Sequence, residues 1–193
     1  MVKHLKAWVI LAGCRAIAQT QYLARHNKAL KILFFEMLGS LELISTTALW
    51  YSQAQPKPMY ENDRVVQYWD IPLFADTTHV MANRTDARII DKERKEVKLH
   101  EMSCPWVENR EEKAMEKTSK YGPLRWELQQ RHPDYKVTQY SIIIDVLGGY
   151  SQDLTKALKQ LVENSYRSVA AQMQKLFVTS SLHIARSFKV LAH

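Results

Sequence analysis

The stretch from Asn83 to Tyr121 holds Arg84, Asp86, Glu101, Lys117 and Tyr121. Two carboxylates and a lysine in this order suit magnesium-dependent cleavage of a phosphodiester. Carboxylates held close together bind a hard cation through oxygen, and the cation lowers the pKa of a bound water. A nearby ammonium then stabilises the charge that gathers on the phosphate. Asp86 and Glu101 are the candidate metal ligands, with the backbone carbonyl of Met102 as a third, and Mg²⁺ (or Mn²⁺) is the cation. Lys117 is the candidate ammonium. Arg84, Arg88, Lys113, Lys120 and Arg125 flank the centre and are expected to contact a phosphate backbone.

These residues need elements to bring them together. Thr77 to Met81 and Arg88 to Asp91 read as short strands, and Asp91 to Lys95 as a charged hairpin turn. Glu96 to Cys104 alternates, with Val97, Leu99, Glu101 and Ser103 on one face and Lys98, His100 and Met102 on the other. Pro105 ends that strand. A helix is predicted from Asn109 to Gln130, with Glu108, Glu111 and Glu112 near its N-terminus, where they complement its dipole. Along it Ala114, Lys117, Tyr121, Leu124 and Leu128 form one stripe that must face the sheet.

A lysine on a buried stripe needs a partner, and Asp86 and Glu101 are the nearest. Two readings of Lys117 stand at this point: it points in to the carboxylates, or it snorkels out beside Lys113 and Lys120. Asp86 likewise reads as a metal ligand or as a turn cap. Glu101 reads as a ligand or as an edge-strand charge, and its sharing a face with Val97 and Leu99 argues for the former.

Elsewhere, a helix is predicted from about Ala16 to Leu43, with Tyr22, Ala29, Leu30, Leu33, Phe34, Met37 and Leu38 inward and Arg25, Lys28 and Lys31 outside that stripe. Ser40 to Glu61 breaks the pattern, and Gln55 to Pro58 reads as an exposed extended linker. Val65 to Ala75 suggests a short strand and a loop around Pro72. Val137 to Val146 carries Ile142, Ile143 and Ile144 in succession, which suits a strand buried on both faces and away from a sheet edge. Gly148-Gly149 ends it. Ser151 then caps an amphipathic helix with Leu154, Leu158, Leu161 and Val162 inward, continuing with a break to Phe188. The expected architecture is an α/β core (helix, three strands, helix, strand) with a mixed sheet of about four strands, plus a long C-terminal helix. Segments 1–62, 63–150 and 151–193 read as a helical lead-in with linker, the core, and a C-terminal helical region.

Composition sets the outer bounds. With 46% hydrophobic and 24% charged residues, the 193-residue chain can build a real core and is not a disordered tail. A formal charge of +7 favours a polyanionic partner, or simply confers solubility. Two cysteines, Cys14 and Cys104, exclude a disulfide framework and suit a reducing compartment. No apolar run approaches the ~18 residues of a spanning helix. Leu11-Ala12-Gly13-Cys14 looks like a lipoprotein cleavage box, but the apolar core before it is at the lower limit for a signal and the chain beyond it is helical at once.

Three motifs in order carry a family resemblance: Asn83-Arg-Thr-Asp-Ala-Arg-Ile-Ile, Leu99-His-Glu-Met-Ser-Cys-Pro-Trp and Glu116-Lys-Thr-Ser-Lys-Tyr-Gly-Pro-Leu. Together with Gln21 to Asn27 and Asp145 to Tyr150, they resemble the restriction-like endonuclease at the C-terminus of site-specific non-LTR (LINE-type) retrotransposon polyproteins. That domain belongs to the PD-(D/E)XK nuclease superfamily. The resemblance implies a restriction-endonuclease-like fold that nicks target DNA, so that the new 3′ end primes reverse transcription. It implies that Asp86 is the first catalytic aspartate, Glu101 the second carboxylate and Lys117 the catalytic lysine carried on the helix. Tyr121 joins them as a recurring tyrosine, and Arg84 as the basic residue before the aspartate. Thr85 stands where many members have proline, and Ser103 where the wider superfamily has its lysine.

In that family a zinc knuckle lies upstream. Val9-Ile-Leu-Ala-Gly-Cys14 keeps only its cysteine, so zinc binding is not expected, and residues 1–14 read as a truncated remnant. His26 then reads as packing or a phosphate contact. The implied partner is DNA, the implied setting nuclear, and the reverse transcriptase of such an element is absent from this chain. A DNA-binding remnant without catalysis and an exported lipoprotein are the other readings.

Overall fold

The strands of this chain lie in one sheet, in the order in which they occur in the sequence. The computed structural model describes residues 9–46, 49, 51–74 and 80–191. The strands are β1 (Met59–Glu61), β2 (Val65–Trp69), β3 (Ala87–Asp91), β4 (Glu96–Ser103) and β5 (Lys136–Ile143). The principal helices are α1 (Leu23–Ser40), α2 (Arg110–Lys120), α3 (Gly122–Arg131), α4 (Gln152–Val162) and α5 (Tyr166–Leu191). Neighbouring strands are antiparallel from β1 to β4, and β5 runs parallel to β4. A parallel pair cannot be joined by a tight turn, so α2 and α3 form the crossover between β4 and β5.

On one face of the sheet, Leu30, Leu33, Phe34, Met37 and Leu38 of α1 are fully buried among residues of the strands, α4 and α5. Each such side chain stabilises the fold by about 1.5–3 kcal/mol. Phe34 meets Trp69 edge-on, with ring centroids 4.9 Å apart, and Tyr60 at 6.0 Å. On the other face Tyr121, Leu124 and Leu128 pack on Val97 and Leu99. The first core takes residues from all three segments drawn along the sequence, so neither boundary divides the packing.

Several expectations need correction. The helix over Asn109–Gln130 is two helices, because Pro123 has no N–H to continue the ladder. The stripe survives the break: the Tyr121 N–H donates to the Lys117 carbonyl at 3.2 Å, and the Arg125 N–H to Tyr121 at 3.0 Å. The sheet gains β1, whose three residues are too few to show a period. Of the strand expected over Thr77 to Met81, residues 77–79 lie outside the described residues and Val80 and Met81 are not strand.

β5 is an edge strand, as β1 is at the other side of the sheet, contrary to the reading of Ile142 to Ile144. The isoleucines are buried because helices cover both faces of the strand, not because strands flank it. Arg25, expected outside the α1 stripe, is 2% exposed, donating to Ser181 Oγ at 3.0 Å and to the Leu11 carbonyl at 2.9 Å.

Leu11 itself packs with Val146 and Ile184, so the segment Val9–Gly13 is docked on the fold. The rest of the suggested signal and knuckle remnant, residues 1–8, lies outside the described residues. Among the described residues no helix is long and apolar enough to cross a membrane.

The turn after β5 is tightly built. Asp145 Oδ1 accepts the N–H groups of Leu147 at 2.8 Å and Gly149 at 2.9 Å. Gly148 sits at φ +85, and a Cβ there would lie 2.9 Å from Gln174 Cγ. Gly148→Ala is therefore expected to lower stability by about 1–3 kcal/mol in urea unfolding. An unchanged midpoint would show that α5 yields easily at this contact.

Candidate active site

The antiparallel register of β3 and β4 pairs Ala87 with His100, which sets Asp86 opposite Glu101 at the mouth of the pair. Each carboxylate is then held by the other strand's backbone. Glu101 Oε1 accepts the Asp86 N–H at 3.2 Å, and Asp86 Oδ2 accepts the Met102 N–H at 2.6 Å. Asp86 is thus bonded across the sheet and is not a turn cap. Alternation along β4 sends Glu101 to the same face as Val97 and Leu99, where its side chain is 0% exposed.

Lys117 resolves inward. Its Nζ donates to Glu101 Oε2 at 2.8 Å and lies 5.6 Å from the centre of the Tyr121 ring. The Tyr121 hydroxyl donates to the Arg84 carbonyl at 3.3 Å. Lys120, one step along, is exposed, with its ammonium 5.1 Å from the same ring. The structure therefore brings Asp86, Glu101, the Met102 backbone, Lys117 and Tyr121 into one cluster.

The charges in the cluster act on one another. Burial, and then the Asp86 charge, push Glu101 up to about 7, against the pull of Lys117. Burial also pushes Asp86 up, but His26, Lys117 and the Met102 N–H outweigh it and hold the carboxyl below its ordinary value. Burial raises the Tyr121 phenol, and Glu101 raises it further. Two carboxylates with opposed shifts are the mark of acids sharing a site.

His26, expected as packing or a phosphate contact, stands against the acidic cluster. Its Nε2 lies 3.2 Å from Asp86 Oδ2 and 3.3 Å from the Met102 carbonyl oxygen. Burial would lower its pKa, yet Asp86 and Asn27 raise it above the usual value. In the sequence it stood beside the α1 core stripe, within the Gln21 to Asn27 segment of the family resemblance. His26, Asn27, Trp69, Asp70, Arg84 and Asp86 line an open pocket of about 280 Å³, which gives solvent a way to Asp86. A groove of about 360 Å³ between α2, β5 and α4 holds none of these residues.

The expected phosphate contacts divide. Arg88 is a correction: it is 5% exposed, because its place in β3 puts it under the Tyr68 ring at 4.5 Å, and it is no surface cation. Arg84 is exposed and holds both Asp70 carboxylate oxygens at 2.6 Å. Lys113 pairs with Glu116, and Arg125 donates to Gln139 Oε1 at 2.6 Å. Among the described residues no group of three His, Cys, Asp or Glu side chains is placed to hold a metal, so the candidate donor set is the two carboxylates with a backbone carbonyl. No known family's sequence model matches this chain, and no curated protein matches it either.

The Glu101 shift has a measurable consequence. Its folded-state pKa, about 7, stands above its ordinary 4.5, so the folded protein binds more protons than the unfolded one between those values. Stability from this group is complete below about pH 4.5 and is lost as the pH rises through about 7, by on the order of 3 kcal/mol. In metal-free protein, Glu101→Gln is expected to melt higher than the wild type at alkaline pH, with the gap closing on acidification. Parallel pH–Tm curves would show that Glu101 ionises normally.

Proposed function

We propose that the chain is a metal-dependent DNA-nicking endonuclease domain of the non-LTR retrotransposon type, with Asp86, Glu101 and Lys117 as its catalytic core. One observation carries the reading: Lys117 Nζ stands 2.8 Å from one oxygen of Glu101, while the Asp86 N–H holds the other at 3.2 Å. The element order supports it too. A helix, antiparallel strands, a helical crossover and a final parallel strand are what a restriction-endonuclease-like core requires.

The donor set fits a hard cation, being two crowded carboxylates and the Met102 carbonyl, all oxygen. A divalent ion bound there supplies a water of lowered pKa and neutralises charge on the phosphate. The chain's own residues do the positioning. Lys117 orients the Glu101 carboxylate and presents its ammonium beside the place a phosphate oxygen would take. Tyr121 supports Lys117 with its ring and ties the helix to the Arg84 backbone. Arg84 and Lys120 remain exposed at the rim, suited to a nucleic-acid backbone. On this reading the nick provides the 3′ end for a reverse transcriptase on another segment, and the setting is the nucleus.

A second reading, a DNA-binding remnant that no longer cuts, draws on the completeness of the polar network. Glu101 already has its lysine and Asp86 its histidine. Nicking of supercoiled plasmid with Mg²⁺ or Mn²⁺ separates the two. Asp86→Asn, Glu101→Gln and Lys117→Ala are each expected to lose roughly 100-fold or more of the rate. Lys120→Ala should keep the rate and weaken DNA binding only. Duplex affinity should fall steeply between ~50 and ~200 mM salt. Salt-dependent binding by a wild-type protein that never nicks would leave the remnant reading standing.

A further inference from the structure

His26 approaches the acidic site from α1, sixty residues before Asp86 in the chain. Its Nδ1 lies 2.9 Å from Asn27 Oδ1. An amide oxygen only accepts, so Nδ1 carries the proton, and in the neutral ring Nε2 carries a lone pair. That lone pair faces Asp86 Oδ2 at 3.2 Å and the Met102 carbonyl oxygen at 3.3 Å, neither of which has a proton to give. Three electron pairs aimed at one another repel unless the proton of a charged ring or a metal ion stands among them.

The spacing suits a metal ion. Neighbouring ligands of an octahedral ion with bonds near 2.1 Å stand about 3 Å apart. Both distances from Nε2 are close to that edge length. The Asn27 contact is also what a metal-binding histidine needs, because the second ring N–H given to an oxygen fixes the tautomer and the ring plane. α1 cannot easily withdraw the ring. Leu30 is buried in the core, and Arg25 is anchored to Ser181 and to the Leu11 carbonyl. The side chain is 21% exposed, so it reaches the pocket from which an ion would enter.

We propose that His26 is a nitrogen ligand of a divalent cation held with Asp86 and the Met102 carbonyl, and that it tilts the site toward Mn²⁺ over Mg²⁺. Imidazole binds borderline transition ions well, whereas Mg²⁺ favours oxygen alone. The assignment rests on the metal site of the nuclease reading and adds a residue that the reading does not contain.

The test uses the full chain, stripped of metal and titrated with Mn²⁺ or Mg²⁺ alone, followed by calorimetry and by pulsed electron paramagnetic resonance of bound Mn²⁺. The wild type is expected to show a single-nitrogen hyperfine coupling that is lost in His26→Ala. The same substitution should weaken Mn²⁺ binding by roughly tenfold or more, and Mg²⁺ binding by less than about threefold. Circular dichroism checks that the variant folds, and the wild-type spectrum tests the ligand without any substitution. Bound Mn²⁺ with no nitrogen coupling overturns the inference alone, leaving the oxygen site intact. Tighter Mn²⁺ binding by His26→Ala overturns it too, since the ring would then be an obstacle. Failure of the wild type to bind either ion overturns the metal site and the inference together.

Discussion

A carboxylate closed off from water against a lysine ammonium is the contact on which the acidic cluster of this molecule depends. Glu101 has no exposed side-chain surface, and Lys117 Nζ is 2.8 Å away. Removing two charges from water costs several kcal/mol each, and the attraction between them returns that only in good geometry. Here the geometry is set by apolar packing. Tyr121, Leu124 and Leu128 seat the crossover helices on Val97 and Leu99, and Lys117 arrives at Glu101 because it shares their stripe. Asp86 adds a second negative charge to the same place. Such crowding does nothing for stability in the absence of a cation.

Strand register holds the crowd together. Side chains alternate along β4, so a slip of one residue would turn Glu101 to the opposite face and put Met102 against α2. The long parallel ladder from Glu96↔Lys136 to Ser103↔Ile143 prevents that slip. Gln139 of β5 fastens the crossover to the same ladder, giving its amide N–H to the Lys117 carbonyl at 3.1 Å and accepting from Arg125 at 2.6 Å. The edge strand thus fixes the height of the lysine over the sheet. β5 lies outside the acidic cluster, yet the cluster's spacing depends on it.

How far the site could be read from the residues followed the range of each signal. Glu101 on the face of Val97 and Leu99, and Lys117 in phase with Tyr121 and Leu124, are local periodicities. They survive whatever the rest of the chain does. Arg88 carries the same kind of signal, since it lies opposite Leu99 in the alternation of β3, but its charge alone suggests a phosphate contact. Its position opposite Leu99 in β3 puts it under Tyr68, away from any phosphate. Apart from its place in the Gln21 to Asn27 segment, His26 carries no periodic signal that would distinguish it from a histidine beside a core stripe. Its role comes from two atoms, Asp86 Oδ2 and the Met102 carbonyl oxygen, that are brought to it from distant parts of the chain.

The sequence by itself determined most of the elements, the apolar inward faces of α1, β4 and the crossover helices, and the places of Glu101 and Lys117 on those faces. Those are consequences of the 2.0 and 3.6 residue periods, which depend only on covalent geometry. The tertiary structure alone decided that β5 is an edge strand, that β1 extends the sheet beneath Phe34, and that the ring of His26 meets Asp86. Each of these depends on how far apart packed elements stand and on how they are rotated about their axes. Periodicity fixes the direction in which a side chain points, and only the packing of helix on sheet fixes what it meets there.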